Sequence, residues 1–279
     1  MRRRFLRFPG FKLKALTLSY DDGVRQDKRF ISILNKHGIK CTFNINSGLF
    51  GTEREIVEKG RMSVEEALEL YVDSGHEVAV HGYNHLSLGE VDKAVASRDV
   101  VKDKEELEKL FGTVINGMAY ANGSFSDSVV DMLENNGFLY ARTTIQTESF
   151  DIPEDWLRLT TTCRHRNPNL MELAKKFHEP CGTYKWSKTP RLFYLWGHTY
   201  EFDTDDNWDV IEEFAEFMGG REDVWYVTNI DLFRYVQAYD NLVFSADLSL
   251  VYNPSALDVY IDYFDKQIVV PAGQTVKII

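Results

Sequence analysis

Two carboxylates stand side by side at Asp21-Asp22, with Gly23 directly after them. Adjacent carboxylates on a loop repel each other unless a cation or a proton lies between them. Two histidines, His81 and His85, frame Gly82-Tyr83-Asn84. Two neutral imidazoles and one carboxylate make a donor set suited to Zn2+ or a similar divalent metal, with positions left open for water. A third histidine, His198, closes the apolar run Leu192-Phe193-Tyr194-Leu195-Trp196-Gly197. General acid or base service is the chemistry expected of an imidazole delivered in this way, Gly197 letting the backbone bend. Taken singly, each cluster has a plain alternative: an Asp-Gly turn, a chance histidine pair, a histidine satisfied in the core. Their common position at the ends of predicted strands favours chemistry.

Those strands are legible in the apolar pattern. Ala15–Tyr20 reads as a buried strand ended by the aspartates, and Phe30, Ile33, Leu34 and His37 recur at helical spacing before the stop at Gly38. Residues 40–46 are β-branched and aromatic, hence a second strand, and His76–Val80 a third. Ser63-Val64-Glu65-Glu66 is a capping box that opens a helix reaching about Asp73. A charged helix is expected over residues 90–111, and others over 126–135 and 208–218. Further strands are expected at 115–120, 138–143, 157–162, 192–196 and 224–227. Alternation at this pace predicts a parallel sheet with crossover helices, and about eight such strands predict a barrel whose active site lies at the strands' C-terminal ends. After Tyr239 the pattern changes to short alternating strands with turn signals and no helix. The expected organisation is a catalytic barrel over residues 1–240 and a small β-rich extension over 241–279, packed on the barrel as a cover, with a carbohydrate-binding module as the alternative.

Composition narrows the function classes. The 279 residues carry a formal net charge of −11, with 44% hydrophobic and 13% aromatic residues. The aromatic content excludes a disordered chain, and no apolar run approaches the ~20 residues of a membrane span. The acidic balance argues against nucleic acid or an anionic membrane as partner. Arg2, Arg3, Arg4 and Arg7 are followed by Pro9, Lys12 and Lys14 rather than by an apolar core, so no signal peptide is read and a cytoplasmic location is expected. The three cysteines form no C-x-x-C pair, and neither a disulfide framework nor a cysteine zinc site is suggested.

In their order along the chain these motifs resemble the polysaccharide deacetylase family, the carbohydrate esterases that share the NodB homology domain. That family's strand followed by (T/S)(F/Y)DDG is matched by Leu18-Ser19-Tyr20-Asp21-Asp22-Gly23. Its H(S/T)xxH is matched by His81-Gly82-Tyr83-Asn84-His85, with Gly82 in place of the hydroxyl residue, and its late LxH by Leu195-Trp196-Gly197-His198, one residue longer. The resemblance covers about residues 14–239. It implies a deformed (β/α) barrel and metal-dependent removal of N- or O-linked acetyl groups from an acetylated oligo- or polysaccharide by attack of a metal-bound water. By motif position it implies Asp22, His81 and His85 as metal ligands, Asp21 as general base and His198 as general acid. The metal it implies is Zn2+, with Co2+, Mn2+, Ni2+ and Fe2+ as alternatives. Such an ion polarises the acetyl carbonyl and acidifies water, and the tetrahedral oxyanion is held by the cation and backbone amides.

The third motif of the family, R-x-P-Y, is replaced by Met118-Ala119-Tyr120-Ala121-Asn122-Gly123, without the Arg or the Pro. Tyr120 is expected to line the groove still. Arg142, at the end of the neighbouring strand, is expected to supply the missing guanidinium, the alternative being a surface salt bridge. Trp156 is a candidate apolar wall for the acetyl methyl, and Trp196, Tyr83 and Tyr200 are candidates for stacking on sugar rings, with core packing as the alternative. Glu201 is a candidate to hold the His198 imidazole, or else a solvated carboxylate, and His165 is a further candidate for the rim. His37, His76 and His178 read as structural. The absent third-motif Arg leaves two other functions open, hydrolysis of a small non-sugar amide and carbohydrate binding without turnover.

Overall fold

The computed structural model describes residues 3–51, 60–182 and 188–279. Its centre is a nine-stranded parallel sheet formed by β2 (Lys14–Asp21), β3 (Cys41–Ile45), β4 (Glu77–Val80), β5 (Gly117–Ala119), β6 (Tyr140–Gln146), β7 (Leu159–Thr161), β8 (Cys163–Arg164), β9 (Arg191–His198) and β10 (Val224–Tyr226). The crossovers are α1 (Asp27–Lys36), α2 (Val64–Tyr71), α3 (Lys93–Phe111), α4 (Asp127–Asn135), α5 (Leu170–His178), the short α6 (Tyr200–Thr204) and α7 (Trp208–Met218). A last helix, α8 (Asn229–Asp240), follows β10. The reciprocal capping box at Ser63 and Glu66 is formed and starts α2. The expected deformed barrel is thus present.

Two departures from a regular barrel deform it. The expected single strand over 157–162 is broken: β7 pairs with β6, and one residue later β8 pairs with β9. Thr162 between them donates its N–H to the Tyr194 carbonyl at 2.9 Å, so this switch of partner closes the ring. At the other seam β2 pairs along its whole length with β9, while its opposite edge is shared: Lys14–Leu16 face β10 and Leu18–Asp21 face β3.

Strand alternation sorts the side chains into two populations. Leu16, Leu18, Tyr20, Cys41, Phe43, Ile45, Val80, Met118, Ala141, Phe193 and Leu195 pack against the helices in one hydrophobic cluster. The residues between them point into the barrel, and many are polar: Thr17, Ser19 and Asp21 on β2, Thr42 and Asn44 on β3, Glu77 on β4, Arg142 on β6. A buried polar group is tolerated only when hydrogen-bonded, and the middle layer meets that demand. Glu77 accepts from Tyr140 Oη at 2.7 Å, from Thr42 Oγ1 at 2.7 Å and from the Ile230 N–H at 3.0 Å, the last at the start of α8. Asn229 accepts from Thr17 Oγ1 at 2.9 Å and donates to Tyr194 Oη at 2.7 Å. The first turn of α8 therefore stoppers the barrel at the end opposite the aspartates.

Beyond α8 the chain adds β11 (Val243–Phe244), β12 (Leu250–Tyr252), β13 (Val259–Tyr263), β14 (Lys266–Val270) and β15 (Thr275–Lys277). They form two three-stranded antiparallel sheets, one of which is completed by β1 (Leu6–Arg7) at the other end of the sequence. Val251, Val259, Ile261 and Val270 from these sheets bury with Leu6, Phe8, Tyr235 and Val236 in a second hydrophobic cluster beneath the barrel. No helix among the described residues is long and apolar enough to cross a membrane.

Candidate metal centre and active site

Register gathers the chemistry at the C-terminal rim. Asp21, the last residue of β2, lies level with His198 on β9 and with Asn44 on β3. Asp22 follows with φ 87°, a left-handed conformation that aspartate tolerates better than most residues and that turns its carboxylate back over the barrel mouth. His81 extends β4 by donating its N–H to the Ile45 carbonyl at 3.0 Å, and His85, also left-handed at φ 57°, completes the turn.

One ligand atom each from Asp22, His81 and His85 lie within 4.8 Å of one another. Asp22 Oδ1 stands 3.8 Å from His81 Nε2 and 3.5 Å from His85 Nε2, at or beyond the limit of a hydrogen bond. Two ligands at roughly 2.0–2.1 Å on a tetrahedral ion stand about 3.3 Å apart, so the two aspartate–histidine separations are near those about one ion, and any wider separation within the set would have to close further. His81 Nδ1–H donates to the Ala119 carbonyl at 2.9 Å, which leaves the Nε2 lone pair facing Asp22. Burial pushes His81 down to about 4, and the charges of Arg142 and the neighbouring His85 act in the same direction against the two aspartates, so the imidazole is neutral at pH 7. Burial works against ionised Asp22, but His81, where acid protonates it, and Arg61 hold it below the usual carboxylate range.

Asp21 is 3% exposed and Arg142 is fully buried, so the surface salt-bridge reading of Arg142 does not apply. Its Nη2 donates to both oxygens of Asp21, and Asn44 Nδ2 adds a hydrogen bond at 2.8 Å. Burial alone would raise Asp21; the Arg142 guanidinium, aided by His81 and His198, brings it down to about 2. Trp196 lies under the Arg142 guanidinium at 4.6 Å and near that of Arg164 at 5.1 Å, a cation–π platform rather than an open stacking face, at 4% exposure.

His198 Nε2 is 3.8 Å from Asp21 Oδ2, and its Nδ1 is 3.4 Å from Glu201 Oε2. Glu201 is buried, not solvated: Arg166 binds it at 2.8 Å, Arg164 binds it more closely, and His165 Nε2 lies 3.2 Å away. Desolvation disfavours charged His198, yet the nearby Glu201 carboxylate and the two aspartates raise it above the ordinary imidazole value. Gly197 does not bend the strand, which runs unbroken to His198. A Cβ there would overlap the His165 ring, which stacks on Tyr20 with centroids 5.7 Å apart.

Tyr120 and Trp156 are not brought to the rim. Alternation along β5 turns Tyr120 outward with Met118, where its ring stacks on Phe125 at 4.9 Å and its hydroxyl donates to the Leu157 carbonyl at 2.8 Å. Trp156 packs edge-on against Phe233 of α8 in the lower cluster. Tyr83 is capped by Lys102 Nζ at 3.6 Å, and Tyr200 lies 5.3 Å from His198.

Arg61, Asn44 and Asn46 are participants that spacing alone did not single out. Arg61 reaches Asp22 Oδ1 and Asn46 Oδ1, both at 3.3 Å. The asparagines did leave a signal: Thr42, Asn44 and Asn46 alternate with Cys41, Phe43 and Ile45, marking a polar inner face. Arg61 left none, because it arrives from a distant loop.

Residues 10–141 match the family model described as polysaccharide deacetylase. The chain resembles the polysaccharide deacetylases in sequence and in fold. A Bacillus subtilis (strain 168) relative, "Uncharacterized protein YlxY", is 25% identical over 126 residues, 45% of this chain and 36% of that protein, so the match spans about a third of the relative's length. A Mycobacterium smegmatis structure described as a "putative polysaccharide deacetylase" superposes with TM-score 0.61 at 16% identity, over 84% of this chain and 94% of that one. The Puue allantoinase follows with TM-score 0.60 at 15% identity, over 81% of this chain and 91% of its own. The Streptococcus pyogenes deacetylase PplD, solved in complex with acetate, gives TM-score 0.50 at 21% identity, over 58% and 69%. At these identities the structural likenesses show the fold alone.

Proposed function

We propose that the chain is a metal-dependent hydrolase that removes acetyl groups, N- or O-linked, from a saccharide. The observation that carries this reading is the convergence of Asp22, His81 and His85 within 4.8 Å beside Asp21 and His198, on a chain with a polysaccharide deacetylase match. Asp22, His81 and His85 would hold the ion, most suitably Zn2+, which supplies Lewis acidity toward the acetyl carbonyl and toward water. Asp21 is the proton acceptor. Its Oδ2 faces both His81 and His198, at 3.9 and 3.8 Å, and Arg142 and Asn44 fix its orientation. His198 carries the proton for the departing amine or alcohol on Nε2, and Glu201 on Nδ1 keeps the ring charged and correctly turned. Trp196 supports Arg142 from below.

Purified chain is expected to hold one divalent ion and to release acetate from acetylated oligosaccharides. Release should stop on chelation and return when metal is restored. Metal with hydrolysis only of small non-sugar amides would favour the amide reading, and neither metal nor release would favour a binding protein without turnover.

The His198–Glu201 pair yields a pH signature. The acid form of His198 is lost as pH rises through its elevated pKa, which sets the alkaline limb of kcat/KM. Glu201→Gln removes the charge that sustains that elevation, so the limb should move to lower pH while the acidic limb stays. A pH–rate profile with an unmoved alkaline limb would exclude this role.

A further inference from the structure

Below the His81–His85 turn, α3 presents two acids one helical turn apart, Asp99 and Asp103, 4% and 0% exposed. They occupy the buried stripe of that helix with Ala96, Val100 and Leu107, where an apolar residue would ordinarily sit. Each is spent on the backbone of the turn and its neighbour. Asp103 accepts from the His81 N–H at 3.0 Å, from the Ser47 N–H at 2.7 Å and from Ser47 Oγ at 2.5 Å. Asp99 Oδ1 accepts from the Asn84 N–H at 3.0 Å and from Asn84 Nδ2 at 2.7 Å. From the other side, Asn46 Nδ2 donates to the carbonyls of His81 and Gly82 at 2.9 and 2.6 Å.

The turn needs such anchoring. Gly82 and His85 both lie in the left-handed region, at φ 84° and 57°, which a histidine does not favour unaided. Asp99 Oδ2 has no hydrogen-bond partner among the described residues and stands 2.8 Å from the place a Cβ on residue 82 would occupy. Position 82 is where the sequence departs from H(S/T)xxH, and the carboxylate fills the space that a side chain there would need.

We infer that Asp99 and Asp103 are positioning residues that hold His81 and His85 in their ion-receiving conformation before any ion arrives, with Asp99 and Gly82 matched to each other. This rests on the metal reading above. The test is titration of the metal-free full chain with Co2+, followed by visible absorption and by competition with a chelator. Asp99→Ala should weaken Co2+ affinity about 10- to 100-fold and alter the absorption of the bound ion, a readout that general destabilisation alone does not move. Asp99→Asn, which keeps an acceptor toward Asn84, should recover most of the affinity. Gly82→Ala should also weaken binding, and in Gly82→Ala/Asp99→Ala the loss should fall short of the product of the single losses, since the crowding oxygen is gone.

Wild-type affinity and spectrum in Asp99→Ala would overturn the inference. Should that variant fail to fold, wild-type affinity in Gly82→Ala would overturn it instead. A wild-type chain that takes no Co2+ overturns the metal reading and this inference together, whereas wild-type binding with an indifferent Asp99→Ala overturns this inference alone.

Discussion

Arg142→Met is expected to lose about 3–5 kcal/mol of stability at neutral pH, because it strands a buried carboxylate without its counter-charge. Arg142 is fully buried, and its Nη2 binds both oxygens of Asp21. The pH dependence follows from the direction of the Asp21 shift. In the wild type a pKa brought down to about 2 contributes stability that is fully present above the ordinary aspartate value and disappears as pH falls through 2. In the variant burial dominates, Asp21 rises, and raising pH then destabilises. The gap between the two proteins should therefore widen from pH 2 toward neutrality. Asp21→Leu/Arg142→Met should recover much of the stability and none of the turnover. Arg142→Lys should recover only part, because an ammonium is more strongly hydrated and so costs more to bury, and it loses the planar stacking of the guanidinium on Trp196. Urea unfolding across pH decides the matter, and an Arg142→Met midpoint equal to the wild type's would show that the pair is not the buried ionic contact described.

The second large effect concerns the ion. His81→Ala and His85→Ala should abolish stoichiometric metal binding and lower kcat/KM for acetate release by about three orders of magnitude or more. Lewis-acid stabilisation of a developing oxyanion is worth several kcal/mol, and each 1.36 kcal/mol is a factor of ten. His85 is the cleaner site, since its side chain is 26% exposed and its removal leaves no large cavity. Metal content by mass spectrometry and unfolding midpoints should separate loss of the ion from loss of the fold. Undiminished turnover in a metal-free variant would dismiss the ion from the reaction.

Much of the barrel could be read from the residues because a strand with one face on helices and one face inward writes that difference into alternate positions. Thr42-Phe43-Asn44-Ile45 is such a stretch, and so is Leu16-Thr17-Leu18-Ser19. The same rule, applied to the third motif, separates Arg142 from Tyr120: Arg142 shares the parity of inward Tyr140, while Tyr120 shares that of outward Met118. Parity was not enough for Trp156, which lies in a short turn before β7 rather than on a strand, and whose neighbour Phe233 belongs to the final helix. The break at Thr162 was hidden because both halves look equally β-like; only the change of partner distinguishes them. Asp99 and Asp103 could be found as acids on an otherwise apolar helical stripe. What they hold could not be known before the turn and the helix were set side by side. Arg61 is the extreme case, since nothing local ties it to Asp22.

The sheet that joins β1 to β13 couples residues that lie far apart in the sequence. Leu6 pairs with Ile261, and Arg7 binds Asp262 across a separation of 255 positions. A chain emerging from the ribosome must carry β1 without this mate until β13 has been translated. Loop closure grows costlier only slowly with length, so the delay bears on folding rate rather than on final stability.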